Sequence, residues 1–245
     1  SGNIGDKHHY TAMVGQECWE SSYDFTSVFN SGLPSDEVHN PALGTGTPTI
    51  NAGFGSSSMA SFFTRLTYNY ADRYLGTYTY RYDGSSRLSD KNKWAGFPSM
   101  SVAWRLSEES FLSGAKAKFL DNLKLRLSWG NTGNTNVDPY ETLGKLSKTY
   151  YSWNESAAIG TIPTGIPNPD LKWEKTEEYN LGLDFGLFNS RLTGAIDLYH
   201  RTTKDLILKR KLPVTSGFSE IFQNIGSTRN KGVEIVLNGD IIRNS

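Results

Sequence analysis

Polar and apolar positions alternate most clearly between Leu171 and Leu206. Tyr179, Leu181, Leu183, Phe185 and Leu187 fall on one face; Glu178, Asn180, Gly182, Asp184 and Gly186 fall on the other. After Asn189-Ser190 the pattern resumes, with Leu192, Gly194, Ile196 and Leu198 against Thr193, Ala195, Asp197, Tyr199 and Arg201. A period of two predicts a β-hairpin, because successive strand side chains point to opposite faces. Its first arm, Trp173–Phe188, is long compared with the mode of about 5–6 residues for globular strands. Tilted by ~45° it rises roughly 35 Å, more than the ~25 Å apolar band of an outer-membrane barrel. A soluble sandwich gives the same alternation, so length is what favours a membrane strand.

The same rule predicts eight strands: His9–Trp19, Met59–Tyr70, Arg73–Asp83, Gly96–Leu106, Leu120–Gly130, the two arms of the hairpin, and a last one holding Val233, Ile235 and Leu237. Residues 20–58, 131–170 and 205–229 show no sustained period and are expected to be long irregular loops. Residues 84–95 form a shorter polar loop. Ala71-Asp72 is a tight turn, and Ser107–Phe111 a helical turn with Ser107 as N-cap and acids in the first turn. Brief connections therefore alternate with long ones, the asymmetry of periplasmic turns and extracellular loops. Lys175 and Glu177 share the apolar register, where a mid-membrane charge costs about 2–4 kcal/mol. Counted from the short turn, both fall near the extracellular end, beyond the apolar band.

Composition narrows the class further. With 25 Lys+Arg against 25 Asp+Glu the net charge is zero, and no basic stripe marks a nucleic-acid reader. Thirteen Tyr, six Trp and 24 Gly suit a barrel with aromatic girdles. No apolar run approaches ~18 residues, which excludes a membrane-spanning helix and leaves strands open. The single cysteine, Cys18, excludes an internal disulfide and a cysteine-based zinc site. The pattern is already under way at Ser1-Gly2-Asn3, carries no signal peptide, and stops abruptly at Asp240–Ser245, so both ends are expected to be cut.

Several segments resemble the SusC/RagA family of TonB-linked (TonB-dependent) outer-membrane transporters. They are Arg65–Tyr70 with Asp72–Leu75, Arg81–Arg87, Trp94, Phe97-Pro98-Ser99, Ala103-Trp104-Arg105, Glu109-Ser110-Phe111 and Leu123–Arg126. Trp129–Asn134, Asn168, Leu171–Glu174, Thr215-Ser216-Gly217, Asn224-Ile225-Gly226 and Asn230–Glu234 complete the ordered set. The resemblance implies an all-β fold: a portion of the antiparallel wall of a 22-strand transmembrane barrel, with residues 1–245 lacking the plug domain and the remaining strands. It also implies import of oligosaccharides, or in second place peptides, with a SusD-like surface lipoprotein, and TonB acting through the missing plug. The expected location is the outer membrane of a Gram-negative bacterium, in contact with its lipid.

Catalytic patterns are weak throughout. Gly44-Thr45-Gly46 and Gly53-Phe54-Gly55 lack the Lys-Ser/Thr ending of a phosphate loop. His8-His9 point to opposite faces of a strand, and Asp36-Glu37 and Glu177-Glu178 are as poorly placed for shared acid–base work. No catalytic residue, metal site or cofactor is expected. Binding fits better: Tyr150, Tyr151 and Trp153 cluster in a loop expected to be extracellular, where they would stack on sugar rings or pack within the loop. Arg65, Arg81, Arg105, Arg126, Asp184 and Asp197 take the lumen register, where they would line a substrate path or pair with one another or with a plug. Two alternatives stand beside this reading. One is a complete eight-stranded barrel with a structural or adhesive role, whose first strand pairs with its last at 232–241. The other is a soluble carbohydrate-binding β-domain with Tyr78 and Leu183 in a sealed core.

Overall fold

The computed structural model describes residues 1–116 and 119–240. Its body is one antiparallel sheet. In chain order the strands are β1 (Gly2–Ile4), β2 (His8–Phe29), β3 (Thr49–Tyr70), β4 (Tyr74–Ser85), β5 (Trp94–Arg105), β6 (Leu120–Asn134), β7 (Leu146–Trp153), β8 (Ser156–Pro163), β9 (Glu174–Leu187), β10 (Leu192–Lys204), β11 (Ile207–Lys211), β12 (Glu220–Asn224) and β13 (Ser227–Gly239). Nine of them form the sheet in the order β1-β2-β3-β4-β5-β6-β9-β10-β13. β7–β8 and β11–β12 are separate hairpins inserted into the connections after β6 and β10.

All eight expected strands are present, several longer than the alternation indicated. Residues 20–58, expected to be irregular, are mostly the far halves of β2 and β3, which pair without a break from His8↔Tyr70 to Phe29↔Thr49. The expected loops 131–170 and 205–229 likewise contain the inserted hairpins. Both alternative architectures fail here. β2 and β13 lie towards opposite ends of the strand order and do not pair among the described residues, and Ile241 lies outside those residues. No sealed two-layer core exists among the described residues, since Tyr78, Leu181, Leu198 and Ile235 lie exposed on one face.

Connections 5–7, 71–73, 106–119 and 188–191 lie at one end of the sheet, and 30–48, 86–93, 135–173 and 205–226 at the other. Loop 86–93 is shorter than 106–119, so position rather than length separates the two sets. At the turn end, Ala71 (φ 52°) and Asp72 (φ 54°) supply the two positive dihedrals of a tight hairpin turn, and Asn69 Nδ2 donates to Asp72 at 2.6 Å. Ser107 caps nothing. The 3-10 turn Leu106–Glu108 follows Arg105 with no side-chain capping bond, and Ser107 is buried.

Register lines expose the tilt of the strands. One line runs Tyr70, Tyr74, Trp104, Leu125, Leu183, Ile196, Ile235 across β3, β4, β5, β6, β9, β10 and β13. It begins in aromatics beside the turns and ends in aliphatics. A second line, Leu66, Tyr78, Met100, Trp129, Tyr179, His200, Lys231, begins in the apolar band and ends in polar residues. The band thus crosses the register obliquely. β4 starts at Tyr74, while β9 runs on from Leu183, on the same line, to Leu187. That shift of ~13 Å over three strand spacings of ~4.8 Å corresponds to a tilt of ~40°, within the barrel range.

The closest hydrophobic packing lies at the loop end. Leu88, Phe97, Val137, Leu171, Trp173 and Ile207 form one buried cluster, with Met59, Ala95 and Phe222 against it. Trp173 meets Phe97 edge to face at 5.3 Å and donates its indole N–H to the Lys93 carbonyl at 3.0 Å. Asn224 donates to the carbonyls of Lys172 and Asp205, and Asn168 to that of Phe222, so three connections share one nucleus. Substituting Trp173→Ala is expected to cost about 3–5 kcal/mol of local order. Hydrogen exchange should show segments 86–93 and 165–173 losing protection together while β9 and β10 keep theirs.

At the turn end, Glu109 accepts from Trp104 Nε1 (3.0 Å) and Tyr74 Oη (2.8 Å), with Arg73 at 3.7 Å. These donors, the indole first, hold its carboxyl below the usual carboxylate range. A lowered folded value means that the stabilisation is complete above the unfolded pKa and is lost as pH falls through the folded one. The Tm gap between wild type and Glu109→Gln should therefore close as pH falls below about 4.

Candidate functional site

On the polar face of β6, β9 and β10 the charges are paired across strands. Arg126 of β6 contacts Asp184 of β9 through Nε at 3.0 Å and Nη2 at 2.7 Å, and reaches on to Asp197 of β10 at 3.1 Å. Lys124 adds a bond to Asp184 at 2.8 Å. The reach is geometric: register sets Arg126 opposite Gly182, and Gly182 opposite Asp197. A Cβ on Gly182 would stand 2.6 Å from Asp197 Oδ1 and 2.7 Å from Arg126 Cζ. Only the missing side chain lets one guanidinium bridge three strands.

Arg81 lies apart from this cluster. It is met by Asp83 (3.3 Å) and Glu17 (3.6 Å) and lies over the Phe63 ring at 5.6 Å. With Arg65, Thr79, Phe97, Ser99 and Glu178 it lines a concavity of ≈ 640 Å³ on the polar face. Glu178 is paired with Arg201 at 2.7 Å. Glu177 points to the apolar face, where Trp129 Nε1 (3.1 Å) and Tyr179 Oη (3.0 Å) donate to it. Of the six charged positions in the lumen register, Arg126, Asp184 and Asp197 are brought together, while Arg65 and Arg105 have no ion pair among the described residues.

Tyr150, Tyr151 and Trp153 stand on strand β7, not in an irregular loop. The β7–β8 turn is made by Asn154 (φ 50°) and Glu155 (φ 61°), the turn chemistry that could have signalled the hairpin. All three rings are exposed, at 69%, 50% and 69%. Tyr151 and Trp153 meet edge to face at 6.4 Å, and Tyr150 pairs across with Ile159. Beyond these contacts within the hairpin, each ring keeps half or more of its surface open. The neighbouring hairpin carries Glu220 between Lys209 (2.7 Å) and Lys211 (3.2 Å), and the two ammonium groups, Lys209 first, hold its carboxyl down. Among the described residues no group of three or more His, Cys, Asp and Glu could hold a metal ion.

Gly182→Val is expected to separate Arg126 from Asp197 and to destabilise by about 1–3 kcal/mol. Adding Asp197→Asn in that background should cost almost nothing further, because the two changes break one bridge. Thermal denaturation of the receptor carrying this chain checks it; additive losses would refute the shared bridge.

Comparison with known proteins places this geometry. Residues 2–243 match the family model described as TonB dependent receptor-like, beta-barrel. TonB-dependent receptor SusC of Bacteroides thetaiotaomicron is 43% identical over 188 residues, 74% of this chain and 18% of the relative. TonB-dependent receptor P26 of Formosa agariphila is 36% identical over 243 residues, 98% of this chain and 24% of the relative. The chain thus spans less than a quarter of these curated relatives. Among solved structures, a chain of the RagAB peptide transporter superposes with TM-score 0.85 at 31% identity, covering 99% of this chain and 27% of that one. The siderophore receptor PirA from Acinetobacter baumannii shares the fold at TM-score 0.53 and 14% identity, over 98% of this chain and 36% of its own. With its tilted strands, its aromatic-edged apolar face and its paired polar face, the chain belongs to the TonB-dependent receptor β-barrel family, in the company of SusC and RagA.

Proposed function

We propose that residues 1–245 are a portion of the barrel wall of an outer-membrane importer in a Gram-negative bacterium. The apolar face meets lipid and the polar face meets the lumen, which makes the loop end extracellular. The remaining strands and a plug domain belong to parts of the receptor outside this chain. Uptake draws its energy through TonB acting on that plug, and a SusD-like surface lipoprotein delivers the cargo. No catalytic group, cofactor or nucleic acid enters this scheme.

Oligosaccharides are the favoured cargo. The observation that carries this is the β7–β8 hairpin: three aromatic rings stand in the open at the loop end, while Phe97, Leu171 and Trp173 are packed away. Apolar ring faces with polar edges suit the alternating CH and OH surface of a sugar. Arg126, Asp184 and Asp197 satisfy one another, so on this reading they hold the wall, and Arg81 with its concavity is the candidate for contact deeper in the lumen. A second cargo, peptides, is favoured by the likeness to the RagAB peptide transporter.

In the intact receptor, Tyr150→Ala with Trp153→Ala is expected to weaken oligosaccharide binding at least about tenfold. Calorimetry with oligosaccharides and with peptides of similar size checks it. Unchanged oligosaccharide affinity together with weakened peptide affinity would establish the second cargo instead.

A further inference from the structure

On β6, β9, β10 and β13, charges on the two faces of the sheet are treated differently. On the polar face, Lys124, Arg126 and Arg201 each meet a carboxylate within ion-pair distance. On the apolar face, just past the Trp129–Tyr179 aromatic pair, lie Lys175, Lys204, Arg229 and Lys231, and none of them has an ion pair among the described residues. All four are exposed. Register sets Lys175 directly opposite Lys204. Like charges directly across a ladder are destabilising, and among the described residues no carboxylate stands within ion-pair distance of Lys175 or Lys204.

The one carboxylate among them attracts Lys204 only from beyond ion-pair distance. Glu177 is held by the indole of Trp129 and the phenol of Tyr179, which turn it toward the aromatic row. Position then selects the partner. Lys175 is four residues beyond Tyr179, which at the derived tilt is ~10 Å further from the apolar band, in the headgroup layer. Register lines climb by ~3 Å per strand in the same direction, which lifts His200 and Lys231 above Tyr179 as well. The four cations therefore all lie on the loop side of Tyr179, roughly 6–13 Å above it, on β9, β10 and β13.

We propose that this patch binds a phosphate-bearing lipid headgroup of the surrounding outward leaflet. Its phosphate oxygens would sit between Lys175 and Lys204, with Arg229 and Lys231 as further donors, and would turn the cross-strand repulsion into a chelating site. The proposal rests on the reading that the apolar face meets lipid. Peptide or glycan cargo has no access to this face, which is turned away from the lumen.

The test uses the whole receptor in phosphatidylcholine nanodiscs containing lipid A, either phosphorylated or enzymatically dephosphorylated, with retained lipid counted by native mass spectrometry. Wild type should retain the phosphorylated form, and Lys175→Gln/Lys204→Gln/Lys231→Gln should reduce retention at least about tenfold. Lys175→Arg/Lys204→Arg should retain it, which separates lost charge from misfolding. Equal retention of both lipid forms, or undiminished retention in the Gln variant, would overturn the proposal, the latter leaving a protein partner as the claimant to these cations. A spin label at Leu181→Cys, read for contact with lipid chains, tests the underlying orientation by itself. If that label reports lipid while retention is unaffected, the headgroup site alone falls.

Discussion

Backbone hydrogen bonding is the constraint on which the structure depends. Where a strand crosses lipid, every N–H and C=O along it must find its partner in a neighbouring strand. The ladders here meet that demand over long spans, from His8↔Tyr70 to Phe29↔Thr49 and from Leu192↔Leu187 to Lys204↔Lys175. With the backbone paired, side-chain alternation assigns the two surroundings. Oily residues take one face and most charges the other, with no sealed core between two sheet layers among the described residues.

What the sequence disclosed follows from the same constraint. Alternation is strong where one side is apolar and the other wet, so β4, β5, β6, β9 and β10 were legible nearly to their ends. It fades where both sides are wet. The far halves of β2 and β3 pair Ser21 with Ser57 and Ser22 with Ser56, and no hydrophobic period can mark strands of that kind. The inserted hairpins are hidden for the same reason. Tyr150 and Tyr151 are adjacent aromatics on opposite faces, a pattern that periodicity treats as noise. Glycine roles were equally silent: nothing in the sequence sets Gly182 apart from Gly186 until the register places Arg126 and Asp197 on either side of it.

The motif residues that carried the resemblance acquire a physical meaning once they meet. Phe97, Asn168, Leu171, Trp173 and Asn224 are distant in sequence yet converge on the loop-end nucleus. Trp104 and Glu109 join at the turn end, and Trp129 is tied to Glu177 near the other edge of the apolar band. Each edge of the band therefore has an aromatic held by a carboxylate. The aromatics on their own would only prefer an interface; the hydrogen bonds fix their height.

The shared loop nucleus also divides the outer surface into two kinds of territory. Segments 86–93, 165–173 and 206–224 are anchored to one another, so altering any of them disturbs the rest. The β7–β8 hairpin has its own ladder and turn, and its aromatic rings lie outside that nucleus. Selection can therefore rewrite the hairpin tip freely without taxing the stability of the wall. Variation among related receptors should accumulate there, leaving the anchored segments as the part that inheritance preserves.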